Sequence, residues 1–141
     1  MSSNIKILCL CLVLGSCSFI NFDAPRNMDN ACSILQQRPS FDRAFQKTKR
    51  KWGAPVHVQM AILHQESKFI PNAKTPRKYF LGIVPWGRQS SAYGYAQALD
   101  GTWADYKKSS GRRLASRSNI HDATDFMGWY MQESRRRLGI K

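Results

Sequence analysis

The sequence predicts a single, mostly α-helical domain that also carries one long structured loop. Helix start and stop signals, together with apolar residues at helical spacing, mark four stretches between residues 40 and 138. Between them, residues 71–92 contain three prolines and two glycines, and their aromatic residues follow no helical rhythm. The 141 residues, 43% of them hydrophobic, suit one domain with a packed core.

Residues 1–16 have the pattern of a secretory signal peptide. Lys6 precedes the apolar run ILCLCLVLG, which is too short to span a bilayer comfortably as a permanent anchor. The junction of Leu14, Gly15, Ser16 and Cys17 resembles the lipobox of bacterial lipoproteins, in which the signal is cut before an acylated cysteine. We therefore expect a lipid anchor on Cys17; the alternative is an ordinary signal peptide with an incidental cysteine.

The expected mature chain consists of a tether over residues 17–31 and a domain over residues 32–141. Ser18 follows the lipid cysteine where inner-membrane retention uses an aspartate. By resemblance to known sorting, we expect an exported lipoprotein that faces the periplasm on the outer membrane. In that form Cys32 is the remaining thiol, so no intrachain disulfide is expected.

The charge balance is strongly basic, with 22 lysines and arginines against 9 acids and a formal net charge of +13. Such a charge favours polyanionic partners, although a solubilising basic surface explains it equally well. The export signal argues against nucleic acid as the partner. The three histidines, His57, His64 and His121, form no ligand spacing with the acids or Cys32, so no metal site and no cofactor are expected.

The first two helices follow from local signals. Ser40 is a candidate N-cap for a helix through FDRAFQKTKRKW, which Gly53 would end. Pro55 suits the first position of the next helix, VHVQMAILHQES. This second helix is apolar on most sides, so we expect it to be the central, buried one.

The segment 71–92 is expected to form a long loop with a short strand or hairpin at KYFLGIV. It could serve as a lid over the core or as one lip of a cleft, and loops of this length favour the lip.

Two more helices complete the chain. Thr102 and Asp105 resemble a capping box at the start of a helix that ends near Gly111. The last helix is expected after the cap candidates Ser118 and Asn119. Its apolar residues recur at helical spacing: Ile120, Ala123, Met127, Tyr130, Met131 and Leu138.

Glu66 is one of only two glutamates in the chain and closes the apolar second helix. It shares a helix side with Leu63 and Ile62, which lie three and four residues earlier. Contact with apolar side chains and the negative end of the helix dipole both favour a protonated carboxyl, which is the form that can donate a proton to a leaving group. On position alone, a surface or salt-bridge role for Glu66 is the more frequent one.

Several blocks in order resemble the lytic transglycosylases of bacterial cell walls. These are Glu66 and Ser67 with Phe69, then Gly94 and Gln97, then Thr102 with Trp103, and later Asn119 with Ile120 at the opening of a helix. The resemblance covers about residues 41–130. It implies a lysozyme-like, mostly helical α+β domain that acts on peptidoglycan glycan strands as a monomer.

The resemblance also implies a mechanism and a set of site residues. Glu66 would first protonate the oxygen of the bond between N-acetylmuramic acid and N-acetylglucosamine, and then accept the proton of the sugar's C6 hydroxyl as a 1,6-anhydro ring closes. Ser67 would orient the glutamate or the substrate, or would cap the end of the helix, and Gln97 would lie in the glycan groove. Gly94 would admit close approach of substrate, or serve as a turn; Tyr93 and Tyr95 would stack on sugars, or belong to the core.

The sequence departs from the family pattern at two points, and these departures lead to an alternative hypothesis for the function. The separation of 28 residues between Glu66 and Gly94 is long, and the tyrosine of the family's Ala-Tyr-Asn-like motif is not found before Lys141. We expect either that Tyr130 substitutes for it or that the chain is a truncated relative. The alternative function is a catalytically impaired lipoprotein that binds peptidoglycan.

Overall fold

The computed structural model of the protein describes residues 23–140. The predicted signal peptide, Cys17 and the first part of the tether lie outside this range. Within it the chain forms five helices and one two-stranded sheet: α1 (Ala31–Gln37), α2 (Pro39–Trp52), α3 (Val56–Ser67), β1 (Arg77–Phe80), β2 (Val84–Arg88), α4 (Asp100–Ser110) and α5 (Ile120–Arg137). The expected mostly helical α+β fold is confirmed.

Helix α1 was not predicted from the sequence, because its seven residues lie where the tether meets the domain. The side chain of Asn30 accepts a hydrogen bond from the Ser33 N–H and so caps its first turn. Ile34 is buried in the core. The ordered domain thus already includes the end of the predicted tether.

The predicted end of α2 at Gly53 is confirmed, whereas the predicted cap at Ser40 is wrong. Gly53 adopts a left-handed conformation, with φ of 72°, and its N–H donates to the carbonyl of Lys49. The N-terminal cap position is Arg38, and Pro39 takes the first turn, so Ser40 already lies inside the helix. Pro55 likewise precedes α3 rather than opening it.

The last two helices agree with the sequence to within two residues at their starts. Helix α4 begins at Asp100, two residues before the predicted Thr102, and ends before Gly111, whose φ is 71°. Helix α5 begins after Asn119, as predicted, and the Asn119 side chain accepts hydrogen bonds from the backbone N–H groups of His121 and Asp122.

Helix α5, and not α3, is the most deeply buried helix of the domain. Every residue from Asp122 to Trp129 is buried, and α5 packs mainly against α2. In α3, Met60 and Leu63 face the core while Ala61 is exposed. The prediction of a central α3 is therefore wrong, because α5 occupies the middle of the fold and leaves α3 one exposed side.

Segment 71–92 contains the expected hairpin. Strands β1 and β2 pair antiparallel, with Tyr79 opposite Pro85 and Phe80 opposite Val84. Leu81, Gly82 and Ile83 form the turn. Across residues 23–140, none of the helices combines the length and the apolarity that crossing a bilayer requires.

Candidate active site

A cleft of about 400 Å³ lies between the end of α3, the loop before α4 and the outer side of α5. Its walls are mainly apolar, and its lining residues are Ile62, Glu66, Ala96, Gln97, Ala98, Leu99, Thr102, Phe126, Met127, Tyr130 and Met131. Four residues singled out from the sequence, Glu66, Gln97, Thr102 and Tyr130, meet here although up to 64 positions separate them. Such an apolar groove with a few polar groups is the usual form of a ligand site.

Glu66 occupies the last turn of α3 and lines the cleft beside Ile62, as the helix spacing predicted. Its burial was predicted wrongly, because the residue is exposed. The side chain of Leu63 points into the core instead, at 0% exposure. Glu66 therefore faces an open groove, in which a bound polymer could cover it.

Helix α5 supplies the apolar wall opposite the loop. The rings of Phe126 and Tyr130 stack with their centroids 5.9 Å apart and their planes at 24° to each other. Phe126 also contacts Trp103 of α4, at 5.2 Å between centroids. Tyr130 is 50% exposed, so one side of this aromatic stack faces solvent at the cleft.

Arg117 holds the loop that forms the other wall. Its guanidinium donates hydrogen bonds to the carbonyls of Ala98, at 2.8 Å, and Ser91, at 3.1 Å. It also pairs with Asp100 at 2.8 Å and lies over the ring of Tyr93 at 5.2 Å. One arginine thus fixes both ends of the loop and the start of α4 that follows it.

Gly94 is required by this loop rather than by a substrate. Its φ is +81°, and a Cβ at this position would lie 2.2 Å from the carbonyl oxygen of Arg117. The neighbouring Tyr95 N–H donates to that same carbonyl at 3.1 Å. Of the two interpretations left open by the sequence, close approach to substrate and a structural turn, the geometry supports the second.

Gln97 lines the cleft in a left-handed conformation, with φ of 44°. Its side-chain amide donates to the carbonyls of Ala73 and Gly94, both at 2.9 Å. These bonds fix the side chain, and they leave Oε1 as the atom that could accept a hydrogen bond from a ligand.

Three predicted sugar-contacting residues do not line the cleft. Tyr95 is 7% exposed and packs edge-on against Phe41 at 5.7 Å, so it is a core residue. Burial raises the pKa of its hydroxyl. Tyr93 is held between Lys74 and Arg117. The buried Ser67 hydroxyl donates to the carbonyl of Leu63 at 3.1 Å, which is the helix-end role that the sequence left open.

The hairpin is not a lip of this cleft, since none of the lining residues comes from segment 71–92. The prediction that segment 71–92 forms a lip of the cleft is therefore wrong, because the loop of residues 96–99, which Arg117 holds, forms this wall instead. The sequence also missed Phe126, Leu99 and Ala96 as lining residues. For Phe126 a signal existed, because Met127, Tyr130 and Met131 recur at helical spacing beside it.

The second glutamate is placed differently from Glu66. Glu133 accepts a hydrogen bond from Arg136 at 2.7 Å, and this bond lowers the pKa of its carboxyl. It borders a smaller hollow beside the cleft, with Asp105 and Arg137. Glu133 is therefore suited to remain ionised and not to donate a proton.

A buried carboxylate anchors the α5 wall. Asp125, 3% exposed, accepts hydrogen bonds from Lys51 at 2.9 Å, Trp52 at 2.8 Å and Tyr106 at 2.8 Å. The guanidinium of Arg112 lies 3.4 Å from Oδ2 of Asp125, the oxygen that also accepts the Tyr106 hydroxyl. Burial alone would raise the pKa of Asp125, but the hydrogen bonds from Lys51, Trp52 and Tyr106 together bring it below its usual value.

Residues 23–140 contain no group of three or more His, Cys, Asp and Glu side chains that could hold a metal ion. The chemistry available at the cleft is that of one carboxyl, one amide, one hydroxyl of Thr102 and the phenol of Tyr130.

One of three comparisons with known proteins gave a match. A family model described as Transglycosylase SLT domain matches residues 5–141. Comparison with curated proteins gave no match, and neither did comparison with solved structures.

Proposed function

The chain belongs to the transglycosylase SLT domain family of peptidoglycan lytic transglycosylases, and we propose that Glu66 is its catalytic acid and base. The proposed reaction cleaves the bond between N-acetylmuramic acid and N-acetylglucosamine and forms a 1,6-anhydro ring. The observation that carries the proposal is that Glu66 is the one acidic residue among those lining the cleft.

A single carboxyl restricts the possible mechanisms. Most glycoside hydrolases use two carboxyl groups, one as the acid and the other as the nucleophile or as the base that activates water. The cleft offers only Glu66, and the ion pair with Arg136 keeps Glu133 in its charged form. A mechanism in which one residue serves twice and the substrate supplies the nucleophile fits this arrangement.

In the first step the protonated Glu66 carboxyl donates its proton to the glycosidic oxygen as the bond to C1 of the muramic acid breaks. A glycan strand in the cleft would exclude water from the carboxyl and bring it against Ile62, Phe126 and Met127. A carboxylic acid that is covered in this way can pass its proton directly to the glycosidic oxygen without competition from water.

In the second step the Glu66 carboxylate accepts the proton of the C6 hydroxyl, and the C6 oxygen bonds to C1. The ring closes within the sugar, so no water is consumed, and Glu66 ends protonated as it began. Proximity favours this attack because nucleophile and acceptor belong to one molecule.

Two other cleft residues fit sugar binding. Tyr130 offers a half-exposed ring backed by Phe126, which suits contact with the apolar face of a pyranose. Gln97 Oε1 can accept a hydrogen bond from a sugar hydroxyl, and its amide is already fixed by two carbonyls. We also propose that Ser67 contributes to positioning Glu66 through the end of α3, although its hydroxyl lies off the cleft.

The decisive experiment measures the products released from purified sacculi by mass spectrometry. We expect 1,6-anhydromuropeptides from the parent protein, and a loss of roughly 10²–10⁴-fold in their rate of release with Glu66→Gln, because the amide cannot transfer a proton. Glu133→Gln is the matched control, since it changes the only other glutamate in the sequence. It should retain the parent rate.

Other outcomes separate the alternatives. Products with reducing ends would identify water as the nucleophile and contradict the ring closure. Equal release by the parent and Glu66→Gln would remove Glu66 from the mechanism. Binding of sacculi without any turnover would select the second function, that of a peptidoglycan-binding protein.

The place of action is also a proposal. The apolar run after Lys6 and the lipobox-like residues before Cys17 support export and acylation, with the domain facing the periplasm. Labelling with a radioactive fatty acid, compared between the parent and Cys17→Ser, tests this directly.

A further inference from the structure

The hairpin of residues 77–88 exposes an unusual amount of apolar surface. All residues of β1 and β2 are exposed. At the turn Leu81 and Ile83 are each 81% exposed, and Trp86 is 72% exposed. Phe80 and Trp86 lie near each other, with ring centroids 6.4 Å apart. Six exposed large apolar or aromatic residues thus fall within residues 79–86, whereas exposed apolar residues on soluble proteins are usually scattered singly.

The cleft does not account for this hairpin. None of its residues lines the cleft, so its side chains have no assigned part in the proposed reaction. A two-stranded hairpin is marginally stable in water, and an exposed apolar hairpin is prone to association. A binding partner for this surface would explain why these residue types stand here.

The residues are ordered by polarity from the tip to the base of the hairpin. The aliphatic Leu81 and Ile83 form the tip, and Phe80 pairs with Val84 directly below them. At the base Arg77 pairs with Arg88. Phe80 lies three positions after Arg77 along β1, which corresponds to a rise of about 10 Å.

This order matches the depth profile of a bilayer surface. Acyl chains accept aliphatic residues, the headgroup boundary favours Trp and Tyr, and phosphates attract Lys and Arg. Tyr79 and Trp86 lie in the middle zone of the hairpin, between the tip and Arg77. The distance of about 10 Å corresponds to the upper end of the depth, about 5–10 Å, to which interfacial segments are buried.

The charge of the segment is complementary to anionic lipid. Residues 71–99 contain no aspartate or glutamate, and they carry Lys74, Arg77, Lys78 and Arg88. Lysine and arginine side chains near a negatively charged membrane surface are attracted to it, and this attraction falls off within a Debye length.

We propose that the hairpin inserts its tip into the surface of an anionic phospholipid bilayer. This contact is separate from any acyl chain on Cys17, since it depends on residues of the folded domain. It would hold the domain at the membrane by a second attachment, and single weak attachments become stable when two act together. It does not depend on Glu66.

The test uses the full chain and vesicles of phosphatidylcholine with or without phosphatidylglycerol, some containing brominated lipid. Bromine quenches tryptophan fluorescence at short range, so it reports the depth of Trp86. We expect quenching that requires phosphatidylglycerol and declines as salt is raised. Trp86→Phe should remove this quenching and thereby assign it to the hairpin rather than to Trp52, Trp103 or Trp129.

Variants at the tip test the insertion itself. In the double variant Leu81→Ser and Ile83→Ser, the inserted fraction should fall about tenfold or more, because two aliphatic side chains no longer leave water. Leu114→Ser is the matched control. Leu114 is 99% exposed and follows two arginines, but it lies in the loop between α4 and α5. It should leave the quenching unchanged.

All of these proteins share residues 1–22, so differences among them report the hairpin alone. Glu66→Gln should be quenched like the parent, which separates this proposal from the proposed reaction. Absence of Trp86 quenching in vesicles with phosphatidylglycerol would overturn the proposal. The tip variant could instead keep its vesicle quenching and lose its binding to sacculi or to a protein partner. That result would overturn the proposal and would identify the sacculus or that protein as the occupant of the hairpin surface.

Discussion

At the scale of single residues, a sequence motif around the cleft indicates which residues matter but not whether each one contacts a ligand or supports the loop. The motif that contains Gly94 and Gln97 indicated a substrate groove. In the structure Gln97 does line the cleft, whereas Gly94 meets the backbone of Arg117. The motif therefore combines one residue suited to ligand contact with another that the loop needs for its own conformation.

Replacing Gly94 with alanine should destabilise the fold. Its φ of +81° disfavours any Cβ, and the Cβ would collide with a carbonyl that already accepts the Tyr95 N–H. We expect a loss of roughly 2–4 kcal/mol in the free energy of unfolding, measured in urea, from strain and overpacking together.

Gly111→Ala provides the control for the backbone effect alone. Gly111 has a similar φ of +71°, but nothing lies within 4 Å of its would-be Cβ. We expect Gly111→Ala to lower the free energy of unfolding by about 1 kcal/mol, the cost of placing a Cβ in a left-handed conformation. Equal losses at the two glycines would show that the contact with Arg117 is unimportant.

At the scale of elements, the packing of α5 on α2 decides the shape of the cleft wall. Gly128 lies within α5, and the side chain of Trp52 approaches it closely. Trp52 is in turn held by its hydrogen bond to Asp125 at 2.8 Å. The absence of a side chain at Gly128 allows the two helices to approach each other at this point.

The Gly128→Ala substitution tests that packing. Alanine favours a helix by about 1 kcal/mol over glycine, yet its Cβ would lie 2.4 Å from Cδ1 of Trp52. We expect a net loss of roughly 1–2 kcal/mol in unfolding free energy, because overpacking outweighs propensity. Gly101→Ala in the first turn of α4, where nothing lies within 4 Å, should be neutral or stabilising. A stabilised Gly128→Ala protein would contradict the packing.

The bounds of the elements could largely be predicted, because their signals are local. Gly53 and Asn119 set the end of α2 and the start of α5 through their own backbone and side chain. The burial of α3 and the lip of the cleft could not be predicted. Both depend on which element comes to cover another, and α5 is far from α3 in sequence.

For the whole molecule, the Asp125 network joins α2, α4 and α5 around one buried carboxylate. Lys51 and Trp52 approach it from α2 and Tyr106 from α4. Arg112 links it to Asp122, which also accepts the backbone N–H of Ser116 at 2.9 Å. The network thereby holds the segment before α5 as well as α5 itself.

Acid should weaken the fold through this network. The folded pKa of Asp125 lies below its ordinary value of 3.8, so its contribution to stability is present above that pH and is lost as the pH falls through the lower folded pKa. We expect Asp125→Asn to lower the free energy of unfolding by roughly 1–3 kcal/mol near neutral pH. Between about pH 4 and pH 2 the stability of this variant should fall less than that of the parent, because it has no carboxylate to protonate at this position.

Thermal unfolding measured against pH checks this prediction. Asp105→Asn, on the exposed side of α4, removes the same charge from the surface and should unfold like the parent near neutral pH. An Asp125→Asn protein with the stability and acid sensitivity of the parent would show that the network contributes little.

The sequence by itself determined helices α2 to α5, the hairpin and the family resemblance, because periodicity, glycine and proline geometry and short motifs act over a few residues. Only the tertiary structure decided that Tyr95 belongs to the core, that Glu66 is exposed and that Asp125 meets Lys51 across 74 positions. Burial and ion pairing depend on which distant residues meet, and that is settled when the helices pack.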